Sequence, residues 1–569
     1  MSGGRAEFEI LALRDERWVL EETRETESAA RQVAKGVLNK PRVGGVKVVK
    51  SWHRADGQTT ETVVLEETRA VADPPVTIVP IDEAPQCSQL SDFYKLDSRL
   101  TMGRLLRKYV EQVFLTPTEL MHNYKALKKL QEADTLYPSA VDRVASVQAK
   151  AAGTDAKVRR DELHKFAAQA SQRVRKVEES GSLPDIKGTD FKASYERVKR
   201  MAPPDEAAYM GLVVLCRDLV QHRDWLAKLA RIAELIQPDG EEEILTLFDR
   251  VMADLVATPA ALQDILGAHR NLGAALSAII DLHDNGTPAE KSDARDEIAK
   301  IGPLIASGRM RETRISLIER LCRQLGSSQP LSRNDPDKER DTIKEVIGKL
   351  FRANGILGGP DAAAAMTRRY VYLQEGGGLT ALKNSVGGVC GSMKDLLDRV
   401  IYLLELAKSE LGKDLRETIS SQLSLLIEVN DLSSLAPEAK DVTEKLFAVK
   451  RIFEALKGDG AKGLPDEERA RLVERLDTLL AEFIKREGII EKLDNPQAPL
   501  RDRAMRLVEF CGSGILPDGR ALRAARERVV THLRQPNFDR ALIEGMTDPA
   551  KCAELLRDFH GRLVRAGFR

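Results

Sequence analysis

Aromatic residues are scarce in this chain: Phe, Trp and Tyr together make up 5% of its 569 residues. Because strands draw heavily on aromatic and β-branched side chains, this shortage disfavours an extensive β-sheet. Residues of high helix propensity, such as Ala, Leu, Glu, Arg and Lys, are abundant instead. The composition therefore favours a mostly α-helical protein, long enough for several domains. Its Ala-, Arg- and Leu-rich usage is also typical of GC-rich bacterial genomes.

Cysteine is also rare, and no cysteines have the spacing of a metal-binding motif. Neither CxxC nor a Cys/His ligand pattern links them. We therefore expect no disulfide framework and no structural zinc. The cysteines are Cys87, Cys216, Cys322, Cys390, Cys511 and Cys552.

Neither sign of charge is in excess, and long apolar runs are missing. Lys plus Arg and Asp plus Glu number 88 each, so no overall field draws the protein to nucleic acid or to an anionic membrane. The longest strongly apolar stretch, residues 209–216, is far shorter than a membrane span, and residues 1–10 lack a signal-peptide pattern. The sequence therefore predicts a cytoplasmic protein without a membrane partner.

Residues 1–70 predict a small ββαββ module. Residues 7–13 and 17–22 have the pattern of one hairpin, and residues 46–53 and 59–67 that of a second. Apolar residues recur with helical spacing between the two hairpins. We expect one four-stranded sheet with a single helix on one face.

The hexapeptide VLEETR occurs twice, at residues 19–24 and 64–69, and each copy ends the outgoing strand of a predicted hairpin. A duplicated unit would place a second helix after the second copy, but the four prolines within residues 74–85 exclude a regular helix there. We therefore favour two equivalent structural roles, with an old hairpin duplication as the alternative.

The uncovered face of the predicted sheet is a candidate surface for a partner, because one helix covers only one face. Two tryptophans and three basic residues could stack on bases and contact phosphates there. The competing interpretation is that both tryptophans fill the core of the module. The candidate residues are Trp18, Trp52, Lys47, Lys50 and Arg54.

Beyond the module the pattern is helical almost to the end of the chain. Short polar or Pro/Gly-containing breaks separate the apolar stripes, and no fixed repeat period occurs. The predicted segments are a Pro-containing linker at 71–97, a locally basic helical region at 98–200, a helical body at 201–375, a Gly-rich hinge at 376–391, a four-helix antiparallel bundle at 392–490 and a C-terminal helical segment at 491–569.

A capping box marks one helix start, because Thr116 is followed by Pro117 and by Glu119. With the preceding helical stretch, this pair is compatible with a DNA-binding helix-turn-helix that uses Arg104 and Arg107 among its phosphate contacts. A packed helical hairpin is the favoured interpretation, since two adjacent helices occur in any helical protein.

Residues 143–176 are the most basic stretch, with nine Lys or Arg against three acids. Such a stretch can neutralise phosphates, although a solvated helical face is the favoured interpretation. The candidate nucleic-acid contacts are Arg159, Arg160, Lys165, Arg173, Arg175 and Lys176.

Two further patterns predict long-range helix packing. A heptad seam over residues 212–236 predicts one long helix with His222 inside the seam. Four apolar stripes within residues 392–488 predict the antiparallel bundle, because short breaks separate them. The glycines before the bundle fail the nucleotide-loop pattern and predict a hinge, with Ser392 as the cap of the next helix.

Motifs for catalysis, cofactor binding or metal binding are missing from the sequence. Asp281, His283 and Asp284 carry metal-capable groups, but His283 lies on a different helical face from the two acids. The end of a helix explains this cluster better than a metal site. We expect no cofactor, and enzymatic activity has no positive support.

These patterns favour a non-enzymatic interaction or regulatory protein, an adaptor or scaffold whose helical surfaces and small N-terminal module bind protein partners. One alternative is nucleic-acid binding through residues 100–176 or through the N-terminal sheet face. Another is an enzyme with an unfamiliar site between helices.

Overall fold

A computed structural model describes the chain from Arg5 to Phe568. It leaves out residues 15–16, 39–44, 54–58, 69–75, 134, 288–291, 334, 353–354, 374–377, 438 and 459–460. The chain divides into two compact units, Met1–Ile78 and Val79–Arg569. Residues 79–97 of the predicted linker therefore belong to the larger unit.

The first unit is the predicted ββαββ module. Its four strands form one antiparallel sheet in the order β2-β1-β3-β4. The elements are β1 (Arg5–Arg14), β2 (Arg17–Arg24), α1 (Glu27–Leu38), β3 (Gly45–His53) and β4 (Thr59–Thr68).

Helix α1 covers one face of this sheet because alternate residues of the central strands are apolar. The strands contribute Phe8, Ile10, Ala12, Val46 and Val48 to the buried cluster, and the helix contributes Ala30, Ala34 and Val37.

Both copies of VLEETR lie in edge strands, the first in β2 and the second in β4, apart from Arg69, which lies outside the described residues. Each edge strand also carries an irregularity, because the register shifts at Glu21 in β2, between Ile10 and Leu11 of β1, and at Val64 in β4, between Val48 and Val49 of β3. The irregularity falls on the third residue of one copy and on the first of the other. The copies therefore share an edge position without a common register.

The second unit is a helical body with one small two-stranded ladder. Its helices up to the ladder are α2 (Leu90–Phe93), α3 (Leu96–Leu105), α4 (Arg107–Val113), α5 (Pro117–His122), α6 (Tyr124–Gln131), α7 (Leu136–Ala152), α8 (Ala156–Glu179), α9 (Phe191–Met201), α10 (Ala207–Leu219), α11 (Trp225–Leu235), α12 (Glu242–Ala257), α13 (Pro259–Leu266), α14 (Leu272–Asn285), α15 (Arg295–Ala306), α16 (Arg311–Leu325) and α17 (Pro336–Gly348).

The ladder pairs β5 (Phe351–Arg352) with β6 (Gly355–Ile356). The remaining helices are α18 (Gly359–Val371), α19 (Gly378–Ser392), α20 (Leu396–Lys408), α21 (Glu410–Asp414), α22 (Arg416–Ile427), α23 (Val442–Lys457), α24 (Asp466–Arg486), α25 (Ile489–Leu493), α26 (Leu500–Gly512), α27 (Arg520–Leu533), α28 (Phe538–Leu542) and α29 (Pro549–Arg565). One continuous apolar cluster runs through most of this unit. The mostly α-helical fold with an N-terminal α+β module is thus confirmed.

The predicted long heptad helix is wrong, because the seam is divided between α10 and α11. The side chain of Asp224 accepts a hydrogen bond of 3.2 Å from the backbone N–H of Ala227 and so begins a new helix. His222 lies half-buried in the connection between the two helices. The heptad spacing therefore reflects the buried apolar residues of two successive helices and not one continuous helix.

The predicted glycine hinge is also wrong where the structure describes it. Residues 378–392 form α19, and Ser392 is the last residue of that helix, whereas Asp395 caps α20. At Gly388 a Cβ atom would lie 3.0 Å from the ring of Tyr370 in α18. Glycine here allows two helices to pack closely, so the composition reflects contact and not flexibility.

The four long helices between residues 396 and 486 pack as the predicted bundle. Helix α20 contacts α22 and α23, and α24 contacts the same two helices. Within this set of four, each helix therefore contacts two others. These contacts close a four-membered ring around a shared apolar core.

None of the helices in the described part of the chain is both long enough and apolar enough to span a membrane.

Candidate functional site: an arginine cleft

One cleft in the helical body has a volume of about 720 Å³, and we call it the arginine cleft. Its walls come from residues 79–83 and from the helices α3, α4, α16 and α18, with the end of α12 and residues 409–411 closing the sides. Six arginines and six carboxylates line it. The arginines are Arg99, Arg104, Arg107, Arg320, Arg323 and Arg368, and the carboxylates are Asp82, Glu83, Asp254, Glu319, Asp361 and Glu410.

Helix α16 places its charged residues on the cleft because its apolar residues are fixed in the core. Leu317 and Leu321 are buried on one side, while Arg320 and Arg323 lie one turn apart and both line the cleft. The neighbouring Glu319 lines the cleft beside them. The helix is thus amphipathic, and its polar stripe faces a cavity.

The deepest arginine, Arg99, is buried and paired. Its Nη1 donates to Asp254 at 3.0 Å and to the hydroxyl of Thr118 at 2.9 Å, and its Nη2 forms an ion pair with Glu312. Burial is the largest influence on Asp254 and raises its pKa, while the charge of Arg99 and hydrogen bonds from Thr118 oppose that rise. Arg99 therefore holds helices together and is not free to bind a ligand.

Two arginines share one carboxylate at the side of the cleft. Arg104 donates to Glu319 at 2.7 Å, and Arg323 forms a second ion pair with the same side chain. Burial, followed by the charge of Arg323, lowers the pKa of Arg104 despite its bond to Glu319. One carboxylate therefore does not neutralise this pair of cations.

Arg320 is the least compensated of the half-buried charges lining the cleft. Among the described residues, its guanidinium has no hydrogen bond or ion pair, and its Nε is fully shielded from solvent. Burial and the positive charges of Arg107 and Arg323 lower its pKa, and the charges of Glu319 and Glu111 offset them only in part. Because a guanidinium does not lose its proton in a protein, the lowered pKa expresses an electrostatic cost that an anion would relieve.

A further arginine, Arg368, lines the cleft from α18, which packs against α16. Arg368 is exposed and forms no ion pair within the described part of the chain. Carboxylates also line the cleft, among them Asp361 on the same helix and Glu410. The cleft therefore combines uncompensated guanidinium groups with carboxylates and can bind a carboxylate or phosphate by paired N–H donors.

The residues proposed on the N-terminal sheet do not form one surface. Trp18 pairs with Leu13, whereas Trp52 pairs with Ala6, and these two positions of β1 lie on opposite faces. Lys47 lies 4.5 Å from the ring of Trp18 on the open face.

Two other residues of that set, Trp52 and Lys50, lie on the face that α1 covers. Lys50 is 5.6 Å from the ring of Trp52, which is 38% exposed, and Arg54 lies outside the described residues. Residues of one strand lie on the same face when an even number of positions separates them. The two tryptophans come from different strands, and their partners in β1 are an odd number of positions apart. The pairing register therefore places them on opposite faces, which composition alone does not reveal.

The candidate nucleic-acid contacts all lie on α8, and four of them already have partners. Arg159 binds Glu162 and Arg160 binds Asp142, while Arg175 binds Glu179. Arg173 binds Glu206 at 2.8 Å and stacks 3.7 Å from the ring of Tyr209. Lys165 and Lys176 are exposed. The basic stretch therefore behaves largely as a helix that is tied to its neighbours.

Asp281, His283 and Asp284 do not converge as ligands. His283 Nδ1 lies 2.8 Å from Asp284, Asp281 binds Lys349, and Asp284 also binds Arg352. Among the described residues, no group of three or more His, Cys, Asp or Glu side chains could hold a metal ion.

Sequence reasoning named Arg104 and Arg107 as phosphate contacts but missed Arg320, Arg323 and Arg368. The first two lie in a short basic run, whereas the others lie more than two hundred residues further along the chain. The available signal was the i, i+3 spacing of Arg320 and Arg323 beside Glu319, which is too common to identify a site.

Comparison of the chain with protein-family models and with curated proteins finds no match.

Proposed function

We propose that this chain is a non-enzymatic interaction protein, an adaptor or scaffold, whose helical body binds an acidic segment of a partner protein in the arginine cleft. The observation that carries the proposal is Arg320, a half-buried cation near Arg107 and Arg323 whose guanidinium makes no ion pair with a carboxylate among the described residues. A carboxylate side chain supplied by a partner would give it a charge-assisted, bidentate hydrogen bond.

The size of the cleft supports a peptide segment over a simple ion. A volume of about 720 Å³ lies within the range of sites that hold drug-sized ligands. Arg320 and Arg368 lie on the adjacent helices α16 and α18, so neighbouring acidic side chains of one segment could engage both walls.

The lining is less suited to nucleic acid. Single-stranded nucleic acids bind through aromatic stacking and an uninterrupted positive groove. The described residues that line the cleft include no aromatic side chain, and Asp82, Glu83, Asp361 and Glu410 would repel a phosphate backbone. A protein segment, which can place neutral residues opposite these carboxylates, fits the pattern better.

A cytoplasmic location belongs to the same proposal. All six cysteines are free thiols, and five of them are buried. Free thiols persist in reducing compartments, where disulfides are rare.

Fluorescence anisotropy with a labelled ten-residue peptide of alternating glutamate and alanine, which can place neutral residues opposite the cleft carboxylates, would test the proposal on the full chain. We expect R320Q to weaken peptide binding by about 10- to 100-fold, the range of a charge-assisted hydrogen bond. The matched control is R311Q, which removes the same charge from an exposed position of α16 that does not line the cleft. R311Q should bind the peptide as tightly as the unaltered chain.

Equal peptide affinity of R320Q and the unaltered chain would overturn the assignment of the cleft. A single-stranded oligonucleotide of matched charge that binds more tightly than the peptide, and whose binding is lost in R320Q, would favour the nucleic-acid alternative. Both measurements should be repeated at two salt concentrations, because ionic contacts weaken as salt rises.

A further inference from the structure

A second cavity, which we call the apolar cavity, lies within the helical body and has a volume of about 140 Å³. Residues of α3, α5, α6, α7 and α8 form most of its wall, and Phe93 of α2, Leu106 and residues of the segment 84–87 contribute the rest. Leu105, Leu120 and Leu163 are among the buried side chains that line it. None of the described lining residues carries a charged side chain.

The few polar groups on this wall already have partners. Gln148 accepts a hydrogen bond of 2.7 Å from Arg159 and donates one to the carbonyl of Pro85. The hydroxyl of Thr101 donates to the carbonyl of Asp97 at 2.8 Å. A buried water needs two to four polar partners, and the polar groups on this wall are already hydrogen-bonded to other residues. The cavity therefore suits hydrocarbon better than water.

Small side chains keep the space open. Ala140 on α7 and Ala167 and Ala170 on α8 line the cavity where longer apolar residues could fill it. An empty apolar cavity destabilises a protein, since its lining loses dispersion contacts that a packed interior supplies. A ligand that occupies the cavity would restore those contacts.

We propose that the apolar cavity binds a small uncharged molecule that is mostly hydrocarbon, with the bulk of one aromatic ring or a short acyl chain. An apolar cavity of about 150 Å³ is sufficient to hold benzene, which sets the size of the ligand. The lack of charged lining residues excludes an ionised group from the interior.

Residues 84–87 close one side of the cavity, where Ala84, Pro85 and Cys87 line it. This segment has no helix or strand structure and is fixed by side-chain hydrogen bonds. Gln86 donates to the backbone carbonyl of Gln148 at 2.7 Å, and Arg159 donates to the carbonyl of Cys87. Residues 79–83 of the same stretch line the arginine cleft, but the ligand proposed here uses none of the cleft arginines.

Toluene is a suitable probe, and its binding to the full chain can be measured by isothermal titration calorimetry. We expect saturable binding of one toluene per chain and a raised melting temperature. A140L, which extends a side chain into the cavity, should weaken toluene binding at least tenfold. A151L is the control, because Ala151 is an exposed residue of the same helix.

If A140L does not fold, A167M provides a second way to fill the cavity from α8, at a half-buried position. Crystals exposed to xenon give an independent measurement, with a xenon atom expected between α7 and α8. Absence of toluene and xenon binding to the unaltered chain would overturn the proposal, as would equal toluene affinity in A140L, or in A167M where that variant replaces it.

Discussion

The interior ion pairs and the arginine cleft both contain half-buried or buried cations, but they differ in whether each cation has a carboxylate partner. In the interior, Lys228 and Glu119 are both fully buried and face each other, and Lys228 also donates to the carbonyl of Leu219 at 2.8 Å. In the cleft, Arg320 makes no ion pair among the described residues, and the charges of Arg107 and Arg323 act on it against those of Glu319 and Glu111. A buried charge with its partners supports architecture, whereas Arg320 is the charge for which we propose a ligand as the missing partner.

The largest effect should come from removing a paired interior charge. R99Q leaves Asp254 buried without its cation, and breaking a buried ion pair in this way costs about 3–5 kcal/mol of unfolding free energy. Urea denaturation followed by circular dichroism measures the loss. A change below about 1 kcal/mol would mean that the interior pairs do not govern stability and would remove the contrast with the cleft.

A smaller effect should appear on acidification. Burial, together with the charges of Arg250, Arg99 and Arg173, lowers the pKa of His122 from 6.5 to about 3, against the opposing hydrogen bond to Thr118. As the pH falls, the unfolded chain therefore takes up the proton before the folded chain does. The contribution of His122 to the unfolding free energy is fully present above pH 6.5 and is lost as the pH falls toward 3.

Between pH 6.5 and pH 5 this single group should remove about 2 kcal/mol of unfolding free energy, at about 1.36 kcal/mol for each pH unit. Denaturation curves at several pH values measure the loss. H122N removes the titrating ring, so its stability should fall less steeply over the same interval. An identical slope in both chains would assign the acid sensitivity to other groups.

The smallest effect should have the opposite sign to that of R99Q. R320Q removes a half-buried cation from the neighbourhood of Arg107 and Arg323, so we expect an unchanged or slightly raised unfolding free energy, by up to about 1 kcal/mol. The same denaturation measurement applies, with R311Q as the control on the same helix. A loss of more than about 1 kcal/mol would show that Arg320 serves the fold and not a ligand.

Local sequence features predicted much of the architecture. The capping box at Thr116 is present, since its hydroxyl accepts from the N–H of Glu119 at 3.2 Å and Glu119 accepts from the N–H of Thr116 at 2.8 Å. The ββαββ order and the bundle were also predictable, because alternation and helical spacing are properties of short segments. The break at Asp224 was missed because a continuous apolar stripe outweighed one capping residue.

The candidate site was predictable only in fragments. Arg104 and Arg107 were visible as a basic cluster, but nothing in their neighbourhood identified Arg320 as the residue opposite them. The basic residues of α8 had the stronger local signal, and four of the six proposed there already have partners. Local charge density does not predict whether a charge is already paired, because the pairing partners are distant in sequence.

The sequence by itself determined the helical class of this protein, the separate N-terminal module and the helix start at Thr116, because propensity, periodicity and capping act within a few residues. The tertiary structure alone decided that Glu119 completes both a helix cap and a buried ion pair with Lys228, and that Arg320 makes no ion pair among the described residues. The physical reason is that burial and charge pairing depend on contacts between residues that are one hundred or more positions apart.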